Sequence, residues 1–218
     1  MKNVKQEVAV IGLGTFGFEM AVKLYELGQH VLAIDKKLEK INQIKDKVTI
    51  AVQADATEEE VLVKLDIAKF DKVVLGMSNS LETLILAVTY LKKHGAKIVI
   101  AKANTHIQKQ ILLKVGVDEV IQPEISMARM LARKIAYPNV LDYLAMDSKN
   151  SLIEITVPEK FSGKTLRELD LRNKHNILVI LKYDGATYKM VTNPNTLLMK
   201  NDKIFVAGEA DNIVEVFS

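Results

Sequence analysis

Ten residues near the start of the chain, Val8-Ala-Val-Ile-Gly-Leu-Gly-Thr-Phe-Gly17, have the types and spacing to hold a pyrophosphate, and eighteen residues beyond them stands an acid, Asp35. Each glycine answers a separate need. Gly12 permits a tight turn out of a strand, Gly14 lets backbone N–H groups approach phosphate oxygens, and Gly17 lets the next helix pack closely on the strand. Thr15 and Phe16 complete the loop. The helix start adds orphan N–H groups and partial positive charge, which favour an anion. A carboxylate at Asp35 accepts hydrogen bonds from ribose hydroxyls and repels a 2′-phosphate, an effect softened by Lys36 and Lys37 beside it.

These residues meet only if the surrounding chain folds as a β-α-β unit. Val8 to Ile11 is an unbroken apolar run, as in a buried strand. Met20, Ala21, Leu24, Tyr25 and Leu27 then recur at helical spacing up to Gly28, and His30 to Ile34 forms a second strand that ends in Asp35. The alternation continues through strands at 48–52, 72–76, 97–102 and 119–123, separated by helices at 36–47, 58–65, 81–94 and 105–115. Six near-continuous apolar strands with intervening helices predict an α/β fold, a Rossmann-like doubly wound parallel sheet. Ligands collect at the carboxyl edge of such a sheet. The third strand brings Asp55, Ala56 and Thr57 to that edge, the fourth Met77, Ser78 and Asn79, and the fifth Lys102. Asp55 and Thr57 are candidates for contacts to adenine or ribose. Thr57 can equally cap the next helix, with Glu60 completing a capping box, and Ser80 or Asn79 can cap the one after it.

Past the sixth strand, Glu124 to Ala136 reads as a helix rich in methionine (Met127, Met130), interrupted at Pro138 and continuing helically over 139–146. It either covers its own sheet or crosses to a second subunit, and the sequence favours the first. Asp147-Ser-Lys-Asn150 is a polar breaker and the best linker candidate. Alternating strands and an Asp184-Gly185 turn follow. The expected organisation is a nucleotide-binding domain at 1–136, a crossover helix and linker at 137–150, and a small α+β domain at 151–218.

Composition narrows the function. With 218 residues, 49% hydrophobic and 26% charged, the chain has the balance of a soluble globular protein. A net charge of +3 dispersed among acids, with no basic stripe interleaved with aromatics, argues against a nucleic-acid partner. The absence of cysteine removes disulfides, thiolate zinc sites and thiol nucleophiles. No signal-peptide pattern and no membrane-length apolar run is visible, so a cytoplasmic location is expected, with any membrane association through a partner. No G-x-S-x-G, H-E-x-x-H or Walker lysine motif occurs. His30, His94, His106 and His175 are poorly placed to serve as a proton relay at the crevice. The nucleotide is therefore expected to be sensed and not chemically changed, with a small NAD-dependent oxidoreductase as the alternative.

Taken together, the glycine loop, Asp35, Ala54-Asp-Ala-Thr57, the Lys102 strand end and the 151–218 module resemble the cytoplasmic regulatory subunits of bacterial Ktr and Trk potassium-uptake systems, of the TrkA/KtrA type. The resemblance covers about residues 6–217 and implies an RCK N-domain joined to an RCK C-domain. It further implies a homodimer that assembles into an octameric ring beneath a membrane potassium-transporter subunit, at the inner face of the plasma membrane. By the same resemblance Gly12, Gly14 and Gly17 cradle phosphates, Asp35 holds the ribose, Asp55 and Thr57 lie near the adenosine, and Lys102 lies near the phosphates. The implied ligand is NAD(H) or an adenine nucleotide (ADP, ATP or AMP). Glu124 matches an acid linked to divalent-cation binding, and Arg172 to Ile177 fall where cyclic di-AMP binds in some members. One departure bears on the ligand. Many members carry arginine where this chain has Thr15, which removes a bidentate phosphate ligand and moves the expectation toward NAD(H), ADP or AMP.

Overall fold

Strands covered on both faces have no polar side to show, which is why the apolar runs of the first half become parallel strands. The computed structural model describes residues 5–77, 80–147 and 149–218. In it β1 (Glu7–Ile11), α1 (Thr15–Glu26), β2 (His30–Asp35), α2 (Leu38–Ile44), β3 (Ile50–Gln53), α3 (Glu59–Lys64), β4 (Lys72–Leu75), α4 (Leu81–Lys93), β5 (Val99–Lys102), α5 (His106–Val115) and β6 (Glu119–Ile121) follow one another. The strands lie in the order β3-β2-β1-β4-β5-β6, every pair parallel. This is the Rossmann-like doubly wound sheet expected from the sequence, and its order reverses between β1 and β4, where such sheets open a crevice. Along β1, Ala9 and Ile11 enter one core with Ile34, Leu75 and Leu84. Val8 and Val10 enter the other, with Ala21, Ile41 and Ile44.

The helix starts follow local chemistry. Ser80 accepts a hydrogen bond from Thr83 N at 3.2 Å and Thr105 one from Gln108 N at 3.1 Å, so each caps its helix. Thr57 does not. Helix α3 begins after Glu58 with no side-chain cap, and the Thr57 hydroxyl donates instead to Asp55 Oδ1 at 2.7 Å. The expected capping box fails because α3 starts one residue later than expected, with Glu58 at the N-cap position and Thr57 before it.

Two expectations about the middle of the chain are overturned. Helix α6 (Pro123–Ala136) buries no residue, and Met127, Leu131 and Ile135 form an exposed apolar stripe, so the buried covering face that the sequence favours is not seen. Beyond it, 139–146 is not helical. β7 (Val140–Ala145) pairs antiparallel with β8 (Asn150–Thr156), and the expected crossover helix and linker at 137–150 is a hairpin. Asp147 makes the turn, its Oδ1 accepting from Lys149 N and Asn150 N at 2.7 Å each. Cross-strand pairing decides here, because the apolar spacing of Val140, Leu141, Tyr143 and Leu144 fits either period. The chain divides into compact units at Met1–Ile125 and Ser126–Ser218, so the boundary falls inside α6.

The second unit continues with β9 (Lys164–Thr165), α7 (Leu166–Leu169), α8 (Leu171–His175), β10 (Leu178–Tyr183), β11 (Tyr188–Met190), β12 (Leu197–Leu198), β13 (Lys203–Glu209) and α9 (Ala210–Phe217). Its main sheet is antiparallel in the order β11-β10-β13-β8-β7, and β9 pairs with β12 apart from it. Alternate residues Ile153, Ile155, Ile204 and Val206 meet Ile213 and Phe217 of α9 in one core. Asp184-Gly185 turns β10 into β11 as the sequence predicts, with Gly185 at φ +101.

Candidate nucleotide-binding site

The site is built on three glycines. Gly12 leaves β1 at φ +89, a left-handed conformation that a side chain resists, and its N–H donates to Ile34 O at 2.8 Å. A Cβ on Gly17 would fall 2.0 Å from Gly12 O, and one on Gly76 would fall 2.6 Å from the same oxygen and 2.9 Å from Gly17 Cα. The β1 turn, the start of α1 and the end of β4 are thus in backbone contact, an approach that only glycine permits. Nothing in the sequence marks Gly76 except that it closes an apolar strand at the sheet's carboxyl edge.

Gly14 is different. It caps α1 at φ −64 and ψ 179 with no side-chain hydrogen bond, and an added Cβ there would meet nothing within 4 Å. Its lack of a side chain is not needed for packing. It leaves open the space in front of a helix N-terminus, where orphan N–H groups favour an anion. Thr15 is exposed at this entrance. Phe16 packs its ring into the core with Val8, Val10 and Ala21, which leaves its backbone as the part able to touch a ligand.

Asp35 closes one side. Its Oδ2 accepts from Leu13 N at 2.7 Å and its Oδ1 from Lys37 N at 2.8 Å, so the carboxylate ties the glycine loop to the end of β2. Each carboxylate oxygen has a second lone pair, which leaves acceptor capacity for two ribose hydroxyls. Lys36 is exposed beside it. At the end of β3, Asp55 Oδ1 accepts from Thr57 N at 3.0 Å and from the Thr57 hydroxyl. These bonds, the backbone one first, hold its carboxyl below the usual carboxylate range against the opposing effect of burial, with a smaller contribution from Lys36. Ala56 is buried between them. Met77 lies against the Gly12 turn, its N and Cβ 2.8 Å from where a Gly12 side chain would start. Ser78 and Asn79 lie outside the described residues.

Across the crevice, Lys102 ends β5 with its side chain 12% exposed, paired with Glu124 in the first turn of α6, itself 62% exposed. The Lys102 ammonium holds the Glu124 carboxyl below its ordinary value. Among the described residues no group of three or more His, Cys, Asp or Glu is placed to hold a metal. The structure therefore brings the glycine loop, Asp35 and the Met77 turn to one point. It sets Asp55, Ala56 and Thr57 to one side of them along the sheet edge, and Lys102 with Glu124 to the other.

A doubly wound sheet with a glycine-lined, anion-favouring turn and a carboxylate at the second strand defines a Rossmann-type nucleotide-binding fold. Residues 8–123 match the TrkA-N domain and residues 152–218 the TrkA-C domain, and the chain belongs to that family. It is 33% identical over 210 residues to Ktr system potassium uptake protein C of Bacillus subtilis, covering 96% of this chain and 95% of that one. It is 32% identical over 213 residues to Ktr system potassium uptake protein A of Vibrio alginolyticus, covering 98% and 97% respectively. Among solved structures, the GsuK channel bound to NAD matches with a TM-score of 0.66 at 15% identity. That match covers all of this chain but 40% of the channel chain, and it speaks for the fold. The potassium-uptake class expected from the sequence is the class its relatives carry, and neither they nor this structure supports the oxidoreductase alternative. No helix among the described residues is long and apolar enough to cross a membrane.

Proposed function

We propose that this protein is the nucleotide-sensing regulatory subunit of a potassium-uptake system, working in the cytoplasm on a membrane transporter subunit. The observation that carries the proposal is the open space in front of Gly14, with the α1 N-terminus behind it and the Asp35 carboxylate beside it. Phosphates fit the N–H groups, ribose hydroxyls fit Asp35, and Asp55, Ala56 and Thr57 lie where adenine or its ribose would reach. NAD(H), ADP or AMP suits this crevice better than ATP, because Thr15 supplies no charge at the entrance. The same fold carries NAD in the GsuK channel. A ligand can move the subunit only by binding two arrangements unequally, so nucleotide control means different affinity in the open and closed transporter.

The exposed Met127, Leu131 and Ile135 stripe of α6 supports self-association, first as a homodimer and then as an octameric ring. A divalent cation at Glu124 would need further ligands from nucleotide phosphates or a second copy. A cyclic di-AMP site in the second unit is favoured by a cleft of about 610 Å³ lined by Lys160, Asn173, Lys174, His175 and Asn176.

The test is calorimetric titration of the full chain with ADP, AMP, ATP and NAD(H), repeated on Asp35→Ala, alongside potassium flux in cells carrying the paired transporter. Asp35→Ala should bind nucleotide more weakly and lose ligand control of flux. Intact control of flux in that variant overturns the proposal.

A further inference from the structure

We infer that the lysine-rich stretch from Lys36 to Lys47, along the outer edge of the first unit's sheet, is a docking surface for anionic phospholipid headgroups. The inference goes beyond the proposed function and does not depend on the nucleotide reading, because it stands on where the chain keeps its charge.

That charge is concentrated. The stretch carries five lysines, Lys36, Lys37, Lys40, Lys45 and Lys47, against two acids, Glu39 and Asp46. It therefore accounts for the chain's entire net charge of +3, and basic and acidic residues balance over the rest of the chain. Elsewhere in the unit Lys92, Lys93, Lys97 and Lys102 each pair with a carboxylate, whereas none of the five is in an ion pair among the described residues. Glu39, the acid in their midst, accepts from Gln43 at 3.2 Å.

The fold sets the stretch on an outer corner. β2 and β3 run parallel, so α2 carries the chain back from the carboxyl edge of the sheet to its amino edge. Lys36, Lys37 and Lys40 stand toward the first edge and Lys45 and Lys47 at the second, in a band along α2. Ile41 and Ile44 sink into the core and hold α2 against the sheet, and β3 is the outermost strand on that side. Four of the five lysines are exposed and Lys40 is half-buried. Leu38 and Ile50, one toward each end of the band, are more than half exposed and add apolar surface to it.

The side-chain types select the partner. The stretch has no arginine, so it lacks the planar fork that grips a fixed carboxylate, and no aromatic on which a nucleobase would stack. Lysine ammoniums on flexible stems are point charges that need no set geometry, which suits a fluid layer of phosphodiester headgroups. Near an anionic surface each lysine strengthens binding by about fivefold, so a net charge of three gives about a hundredfold. Such an attachment is weak and reversible. Salt removes it, since the screening length falls to about 3 Å at about 1 M.

The test is flotation of the full chain with vesicles of phosphatidylcholine alone or mixed with phosphatidylglycerol, at low salt and at about 1 M salt. The wild type should float only with the mixed vesicles and only at low salt. A variant with Lys40→Gln, Lys45→Gln and Lys47→Gln brings the net charge of the stretch to zero and leaves Lys36 and Lys37 beside the nucleotide site untouched. It should bind about a hundredfold more weakly. The control, Lys109→Gln with Lys114→Gln and Lys164→Gln, removes the same charge elsewhere and should float like the wild type. Lys45→Gln alone, at an exposed side chain, should lose about fivefold, which keeps the test valid if the first variant folds poorly. If mixed vesicles do not retain the wild type, or the stretch variant and the control lose binding alike, the inference is wrong. Retention that requires the transporter in the vesicle and ignores phosphatidylglycerol also overturns it, because the stretch then meets protein. None of these results touches the nucleotide reading, whose calorimetry uses no vesicle.

Discussion

Gly17→Ala and Gly14→Ala add the same methyl group three residues apart, and the structure assigns them opposite effects. At Gly17 the new carbon would lie 2.0 Å from Gly12 O, whereas carbon–oxygen contacts settle near about 3.3 Å. The Gly12 peptide or the start of α1 must then move by about 1.3 Å, the difference between those two distances. The Gly12 turn resists, because its N–H is bonded to Ile34 O at 2.8 Å and its oxygen also faces Gly76. Overpacking of this kind costs about 3 kcal/mol, the upper part of the usual range. At about 2–4 °C per kcal/mol for a chain of this length, the protein should melt roughly 6–12 °C lower. At Gly14 the carbon meets nothing, and φ −64 suits alanine. The gain of about 0.4–1 kcal/mol from a stiffer unfolded chain nearly cancels the loss of about 0.5–1 kcal/mol from a poorer N-cap, so the melting point stays put. The methyl does occupy the phosphate cradle, and losing one N–H bond to a charged group lowers ADP affinity by about ten- to a hundredfold. Melting followed by circular dichroism and ADP binding followed by calorimetry separate the two effects. A Gly14→Ala protein that binds ADP like the wild type would falsify the phosphate cradle, and equal melting losses in both variants would refute the packing argument.

Two titrations follow from the same structure. Asp118 pairs with Lys92 at 2.5 Å and accepts from Val99 N at 2.6 Å. These bonds, the lysine's first, hold its carboxyl below the usual carboxylate range, against the opposing effect of burial. A carboxyl depressed in the fold stabilises above its unfolded value near about pH 4, and the contribution fades as pH falls through the lower folded value. Asp118→Asn should therefore cost about 1 kcal/mol at neutral pH, after allowance for solvent screening, and the gap to the wild type should close in acid. Urea denaturation across pH checks this, and a gap that persists in strong acid counts against it. Tyr188 is pushed up to about 12 by burial first and then by its hydrogen bond to Glu154. Its neutral form favours the fold below about pH 10, and that preference is lost as pH rises through about 12. Tyrosinate absorbance should show a late step that Tyr188→Phe removes, and a wild-type titration without that step refutes the assignment.

The first half of the chain is legible because its information is local. Parallel strands buried on both faces leave apolar runs such as Val8 to Ile11 in the sequence, and a glycine loop between strand and helix carries its own geometry. What the sequence hides is what depends on distant partners. Gly76 matters because Gly12 and Gly17, far from it along the chain, lie against it, and a lone glycine at a strand end does not announce that. β7 reads as helix because its apolar residues fit both periods, and only pairing with β8 separates them.

Glu124 shows the same divide within the site. From sequence it is an acid after a proline, and family resemblance alone points to a cation there. In the fold it pairs with Lys102, the largely covered cation of the crevice's far side. A cation that displaces Lys102 from Glu124, or a phosphate that displaces Glu124 from Lys102, frees the other partner. Binding at one is thereby linked to binding at the other, and linkage requires the two effects to be equal. A divalent cation should raise ATP affinity by the same factor by which ATP raises cation affinity, and Lys102→Met, which removes the shared competitor, should shrink both factors together. Factors that stay large in Lys102→Met would mean that the coupling runs through direct phosphate–metal contact and not through the ion pair.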